Sequence, residues 1–398
     1  MTVPPLPVVR LKPKVRPQNI RYGFPWVYEN ELVTDRRTKA IAPGALALLE
    51  DSAREPLALV SVNPSSKIMA RVLDRDLTAQ IDQRWFRTRL ARALMLREKL
   101  FDAPFYRLVH AEADGLPGVV IDRFGDIAVI QPNAAWAEHH LDALTAALVE
   151  VTGVAHVLKN ASGRARSLEG LDYQSAVLHG CAPKAPVLVP MNGAIYLADL
   201  VGGQKTGLFF DQRLNHAMAA SVARGARVLD VFSHVGGFAL ATLASGAQSA
   251  MAVDGSGPAL ALAAKGAEEM GQAARFETRQ SDAFAALEQL GQEEARFELV
   301  ICDPPAFAPS RQALEKGLRA YEKVARLAAP LVAPEGSLVL CSCSHAASLD
   351  AFRKASLRGI GRAGREAMLF HTGGAAPDHP QHPHLAESGY LKALFFRL

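Results

Sequence analysis

The stretch RVLDVFSHVGGF, residues 227–238, decides the fold. An apolar run ends in a short loop holding Gly236 and Gly237, and a helical pattern, FALATLAS, follows at once. Three more apolar runs recur downstream: SAMAVD (249–254), FELVICD (297–303) and SLVLCS (337–342), with helical patterns such as PALALAAKGAEEM between them. Strands alternating with helices predict a doubly wound, Rossmann-like α/β domain from residue 189 to 398. The glycine pair is not the dinucleotide fingerprint G-x-G-x-x-G, and alone it reads equally well as a tight turn.

The strand ends sharpen the reading, because ligands of open α/β sheets bind at the carboxyl ends of strands. Glycines after the first strand let a ligand approach the backbone, and the following helix offers free N–H groups. The second strand ends in Asp254, seventeen residues after Gly237. An acid there can accept both hydroxyls of a ribose. Asp282 falls where a third strand should end. It can take an adenine amino group beside a stacking Phe284, or simply cap the helix AFAALEQL. The segment DPPAF (303–307) follows the next strand. Asp303 would face the same cleft and can accept from a base, with Phe307 as a stacking surface. The alternative is a proline turn that closes the strand.

CSCSH (341–345) holds two of only four cysteines. Strand period two would place Cys341, Cys343 and His345 on one side, as in half a metal site, but no second cysteine pair exists to complete it. A disulfide across one residue is strained. Buried strand thiols account well for Cys341 and less well for Cys343, which lies past the apolar run. A thiol there is a candidate nucleophile.

The N-terminal part differs. VVRLK, ALALLED, LALVSV and IMARVL are short strands separated by turn residues, which fits a small β-barrel over residues 1–75. Residues 76–188 read as an α+β module. An amphipathic helix at 81–101 has Trp85, Leu90, Leu94 and Phe101 as its apolar positions, and a hairpin spans 105–131. A helix near 135–150 and a strand at 154–160 follow. The Pro-rich stretch at 182–190 is the expected linker. Residues 1–100 carry 18 basic and 10 acidic side chains, a surplus suited to a polyanion on an otherwise near-neutral chain. No apolar run is long enough for a membrane helix and no signal peptide is apparent, so a cytoplasmic location is expected.

On these strings the chain resembles the large-subunit ribosomal RNA 5-methylcytosine methyltransferase I family over nearly its full length. RYGFPWVYENEL is similar to the family's PUA domain and ADGLPGVVIDRFGD to its middle domain. GQKTGLFFDQR (203–213) matches the segment entering the catalytic domain. VFSHVGGF, DPPAF and CSCS match the cofactor and catalytic motifs, and SGYLKALFFRL the last strands. The resemblance implies a class I methyltransferase domain that uses S-adenosyl-L-methionine. It places the cofactor site on Phe232, Ser233, His234, Val235, Gly236, Gly237, Asp254, Asp282 and Asp303. Asp303 also faces the base, and Cys343 is the nucleophile.

Three departures stand out. His234-Val235 replaces the family's usual Tyr-Thr, Gly266 and Met270 replace asparagines, and His345-Ala346 replaces Gly-Leu. The implied reaction is addition of the Cys343 thiolate to C6 of cytosine, supported by Asp303, followed by methylation at C5. The implied partner is 23S ribosomal RNA or a large-subunit assembly intermediate, with no membrane. A homodimer is compatible with the sequence. Two rivals remain: an amino-group RNA methyltransferase, and a non-catalytic RNA-binding protein that keeps the cofactor fold.

Overall fold

The computed structural model describes residues 6–203 and 207–398. Gln204, Lys205 and Thr206, inside the 203–213 segment, lie outside the described residues. The chain forms two compact units, Met1–Lys184 with Pro380–Leu385, and Ala185–His379 with Ala386–Leu398.

The first unit holds two five-stranded sheets. In one, the order is Val8–Arg10, Ala45–Glu50, Pro56–Val62, Ile68–Asp74 and Trp26–Tyr28. Its core is aliphatic, with Val9, Leu49, Val60 and Met69 buried. The Trp26–Tyr28 strand arises from RYGFPWVYENEL, where Phe24, Trp26 and Tyr28 form an aromatic cluster.

The other sheet carries the middle module. Its expected hairpin is three antiparallel strands, Phe105–His110, Val119–Phe124 and Ile127–Pro132. His156–Lys159 and Ala176–His179 extend the sheet. The single helix expected near 135–150 is broken at His140 into Ala135–His139 and Leu141–Thr152, because His140 leaves helical geometry with ψ 20°. Helix Gln83–Leu100 is capped by Asp82, which accepts from the Trp85 N–H. It buries Trp85, Leu90 and Leu94 as the spacing predicts. It also buries Arg97, whose guanidinium makes a bidentate pair with Asp114 at 2.7 Å on both arms.

Within this unit a polar network ties the first sheet to the middle module. The Glu169 carboxylate, 5% exposed, accepts from Asn63 Nδ2 at 2.9 Å, Ser66 Oγ at 2.8 Å and Arg71 at 3.0 Å. Arg71 also donates to Glu112, which accepts from the Trp26 indole.

The second unit opens with an antiparallel pair, Val187–Met191 and Ala194–Ala198, so the stretch read as a linker is already strand by Val187. Its main sheet has seven strands: β1 (Arg227–Val231), β2 (Ser249–Asp254), β3 (Phe276–Gln280), β4 (Phe297–Cys302), β5 (Val332–Ser342), β6 (Met368–Gly373) and β7 (Lys392–Arg397). The spatial order is β3-β2-β1-β4-β5-β7-β6. The first five are parallel, and β7 runs antiparallel between β5 and β6. Strand alternation splits the core. Leu229 and Val231 pack on one face with Leu287, Val324 and Phe352, and Val228 packs on the other with Phe238, Ala239 and Leu243. Because order reverses between β1 and β4, the ends of β1, β2 and β4 border one crevice.

Truncating Glu169 strips Ser66 Oγ of its acceptor and leaves Asn63 with only the backbone carbonyl of that residue and Arg71 with only Glu112. We expect Glu169→Ala to cost the first unit about 3 kcal/mol. All three tryptophans (26, 85 and 136) lie in that unit, so urea titration followed by tryptophan fluorescence reads the loss directly. An unchanged midpoint would count against the network.

Candidate active site

The loop after β1 is built from unusual backbone. Phe232 (φ 64°), His234 (φ 50°) and Gly236 (φ 80°) all lie in the left-handed region, which costs energy for the two side-chain-bearing residues. Neighbouring groups hold it. The His234 N–H donates to Asp254 Oδ2 at 2.9 Å, and the Ser233 N–H to the Val253 carbonyl at 3.1 Å. Asp254 thus ties the β1 loop to the β2 end, and its Oδ1 takes the Ser256 N–H at 2.8 Å. The Asp303 N–H donates to the Val231 carbonyl at 3.2 Å, which joins the β4 end to the same row.

Beneath the loop lies Asp230, completely buried in β1. Its Oδ2 accepts from the Ala239 N–H in the first turn of helix Gly237–Ala244, at 2.9 Å. Burial, against the help of that N–H and with the charges of Asp303 and Asp254 nearby, pushes its carboxyl up to about 8. The quoted motif contains Asp230, but the sequence reading gave it no role; an acid in the middle of an apolar strand is the signal.

His216 was also missed. Its ring packs edge-on against Phe238 and stacks near Tyr196, and burial with the Arg213 cation pushes it down to about 3. It sets the requirement at position 237, where a Cβ would stand 2.7 Å from His216 Nε2. The loop therefore needs glycine for packing as well as for ligand approach.

Asp282 caps helix Ala283–Gln292, accepting from the Ala285 N–H at 3.0 Å, as its alternative reading expected. It still lies beside the aromatic group. Phe284 meets Phe232 and stacks with Phe307, centroids 6.1 Å apart, so the three phenylalanines line up across the ends of β1, β3 and β4. Gly266 and Met270 both pack against the strand Ala194–Ala198. A Cβ at Gly266 would stand 2.7 Å from the Ile195 carbonyl, and Met270 Sδ accepts from the Ile195 N–H.

The structure divides CSCSH by depth. Cys341 is buried in β5, and burial and then the Asp303 charge push its thiol well up; Cys302, also buried, is pushed up by the same cause. Ser342 and Ser344 are buried and turn inward to one phenol: Ser342 Oγ donates to the Tyr321 hydroxyl at 2.9 Å, and Ser344 Oγ pairs with it at 2.7 Å. Ser344 Oγ also accepts from the Ala308 N–H at 2.9 Å, binding this turn to the segment after DPPAF. Cys343, between the serines, is half-buried, with Sγ 3.9 Å from the Pro304 carbonyl. His345 is exposed. No group of three or more metal-binding side chains occurs among the described residues.

Two sets of features converge at this row of strand ends. Asp230 Oδ1 and Ser233 Oγ are buried without a hydrogen-bond partner, and the glycine loop and Asp254 adjoin them. This is a polar cradle that suits the amino-acid and ribose parts of a nucleoside cofactor. The fold and cradle define the class of S-adenosylmethionine-dependent methyltransferases. Residues 132–397 match the family model of that description, and residues 9–75 match a PUA-like domain. A ribosomal RNA large subunit methyltransferase of Deinococcus radiodurans is 34% identical, with 98% of each chain covered. Ribosomal RNA large subunit methyltransferase I of Alteromonas mediterranea is 34% identical over 95% of this chain and 96% of its own. A Streptococcus mutans structure assigned to the S-adenosylmethionine-dependent methyltransferases shares the fold, with TM-score 0.83, 19% identity and coverage of 99% of this chain and 100% of that one. The chain belongs to the ribosomal RNA large subunit methyltransferase I family, and its cofactor is S-adenosyl-L-methionine.

Asp230 yields a test with a definite sign. Its carboxyl ionises near 3.8 in the unfolded chain and near 8 when folded, so its contribution to stability is present below pH 4 and is lost as pH rises towards 8. Asp230→Asn has no such loss. Its stability relative to wild type should therefore rise between pH 5 and 8 and level off above, as measured by denaturant titration with circular dichroism. A pH-independent difference would overturn the protonated carboxyl.

Proposed function

We propose that this chain methylates C5 of a cytidine in 23S ribosomal RNA, with Cys343 as the nucleophile. The observation that carries the reading is the placement of Cys343. Of the three cysteines in this unit, Cys302 and Cys341 are sealed in strands, while Cys343 is accessible and lies against the segment that begins with Asp303. C5 of cytosine is too weak a nucleophile to be methylated directly. The Cys343 thiolate adds to C6 and makes C5 enamine-like. Asp303 engages the N3 and N4 edge and stabilises the charge developing there.

Phe232, Ser233, His234, Val235, Gly236, Gly237 and Asp254 hold the cofactor, with Asp282 and Phe284 at its adenine end. Bound there, it supplies an electrophilic methyl group. After transfer the C5 proton leaves to a base and the thiolate is expelled, which restores Cys343. The target base must be out of its stack, so unpaired or loosely structured RNA is preferred.

The first unit supplies the RNA-holding surface. Lys14, Arg16, Arg21, Arg36, Arg37 and Lys39 are exposed around its first sheet. These cations contact phosphates and make affinity fall with salt.

Cys343→Ala should lose methylation of 23S ribosomal RNA. Wild type should form a denaturation-resistant adduct with RNA containing 5-fluorocytidine, because fluorine blocks the final elimination. A fully active variant would overturn the cysteine role, and activity without trapping would favour methylation of an amino group. Separately, the triple change R36A/R37A/K39A should flatten the logarithmic salt dependence of RNA binding by about two units while S-adenosylhomocysteine affinity stays constant. An unchanged slope would remove these three side chains from the RNA surface.

A further inference from the structure

The turn after Cys343 contains a buried cation. β5 and β7 pair antiparallel, and their last rung sets Ser342 opposite Lys392. Lys392 is 7% exposed. Its side chain runs past the end of the ladder to the turn that follows, where Nζ donates to the Ser344 carbonyl at 2.7 Å and the Ala347 carbonyl at 2.8 Å. Those carbonyls belong to the first and fourth residues after the cysteine.

Two neutral acceptors do not by themselves call for a charged donor, since a buried ammonium is costly to desolvate. Both of its acceptors are neutral backbone carbonyls. The cost is visible, because burial pushes Lys392 down to about 8, and the one group that raises it again is the Cys343 thiolate. Coupling between two titrating groups is mutual: a thiolate that favours the ammonium is favoured by it in turn.

We propose that Lys392 is a positioning residue for Cys343, holding the turn that presents the sulfur and supplying the positive charge that keeps it as thiolate. The inference rests on Cys343 being the nucleophile. The serines and Tyr321 fix the turn from one side, and Lys392 fixes it from β7. Tyr321 and the serines can order the backbone but carry no charge, so the electrostatic part falls to Lys392. In the reaction it bonds to no reacting atom. It raises the thiolate fraction available for addition to C6 and lowers the cost of expelling the sulfur at the end, both through charge.

The test is iodoacetamide alkylation of Cys343 as a function of pH, followed by peptide mass spectrometry on the full-length chain carrying Cys181→Ser. In this parent the midpoint should lie below that of N-acetylcysteine. K392M should raise the midpoint by about one pH unit and slow alkylation at pH 7 roughly tenfold. K392R, which keeps the charge, should stay near the parent. Circular dichroism and S-adenosylhomocysteine binding report whether each variant is folded.

A folded K392M with the parent's profile would overturn the proposal. So would a K392R midpoint as high as that of K392M, which would leave only shape. Should K392M not fold, a parent midpoint no lower than N-acetylcysteine's would overturn it without any variant at Lys392. Trapping on 5-fluorocytidine RNA separates the two readings. Trapping with no K392M effect retains the nucleophile and removes Lys392. A shifted profile with no trapping retains the coupling and removes the nucleophile.

Discussion

Val231 pairs in parallel with Val253 on one side and with Cys302 on the other. This single row sets the rest of the catalytic unit. The three strands end within one residue of each other, so Phe232, Asp254 and Asp303 follow this row side by side although they span more than 70 positions of sequence. The reversal of strand order between β1 and β4 opens the crevice that these residues border. The strained loop at 232–236 is affordable only because Asp254, Val253 and Val231 stand ready to bind its backbone and that of Asp303.

Much of this was legible in the sequence, and the physical reason is local. A parallel strand buried on both faces reads as a continuous apolar run, and its end is marked by the first glycine, acid or proline. RVLDVF, SAMAVD and FELVIC announced themselves in this way, and so did the residues just past them. The insertion of β7 between β5 and β6 was not legible, since strand order across an edge leaves no periodic trace. With it went Lys392, which lies 49 residues after Cys343 and reaches the turn that follows it only through that insertion. Tyr321 was hidden for the same reason: one phenol on helix Leu314–Ala328 serves two serines in another element. Arg97 shows the converse. A charged residue on an amphipathic helix reads as solvated surface unless Asp114, from a different segment, is known to meet it.

The short segment 341–345 shows how one strand end sorts its side chains by depth. Cys341 belongs to the sheet, the two serines belong to the packing against Tyr321, Cys343 is half-buried between them, and His345 is exposed. Hydroxyls suit the flanking positions because each can donate and accept at once, so one phenol satisfies both and the turn acquires a fixed shape without a large side chain. Ser344 extends the effect by accepting from Ala308, which couples the segment that presents Cys343 to the one that presents Asp303.

Gly266 sets a close approach between a helix and a strand. The helix that contains it lies so close to the strand Ala194–Ala198 that a single added carbon would meet the Ile195 carbonyl, and Met270 one turn later takes the neighbouring N–H. Any side chain at position 266 would have to push the helix Gly257–Glu269 away from the strand Ala194–Ala198. The glycine is thus a spacer of zero thickness, and it fixes how near these two elements lie.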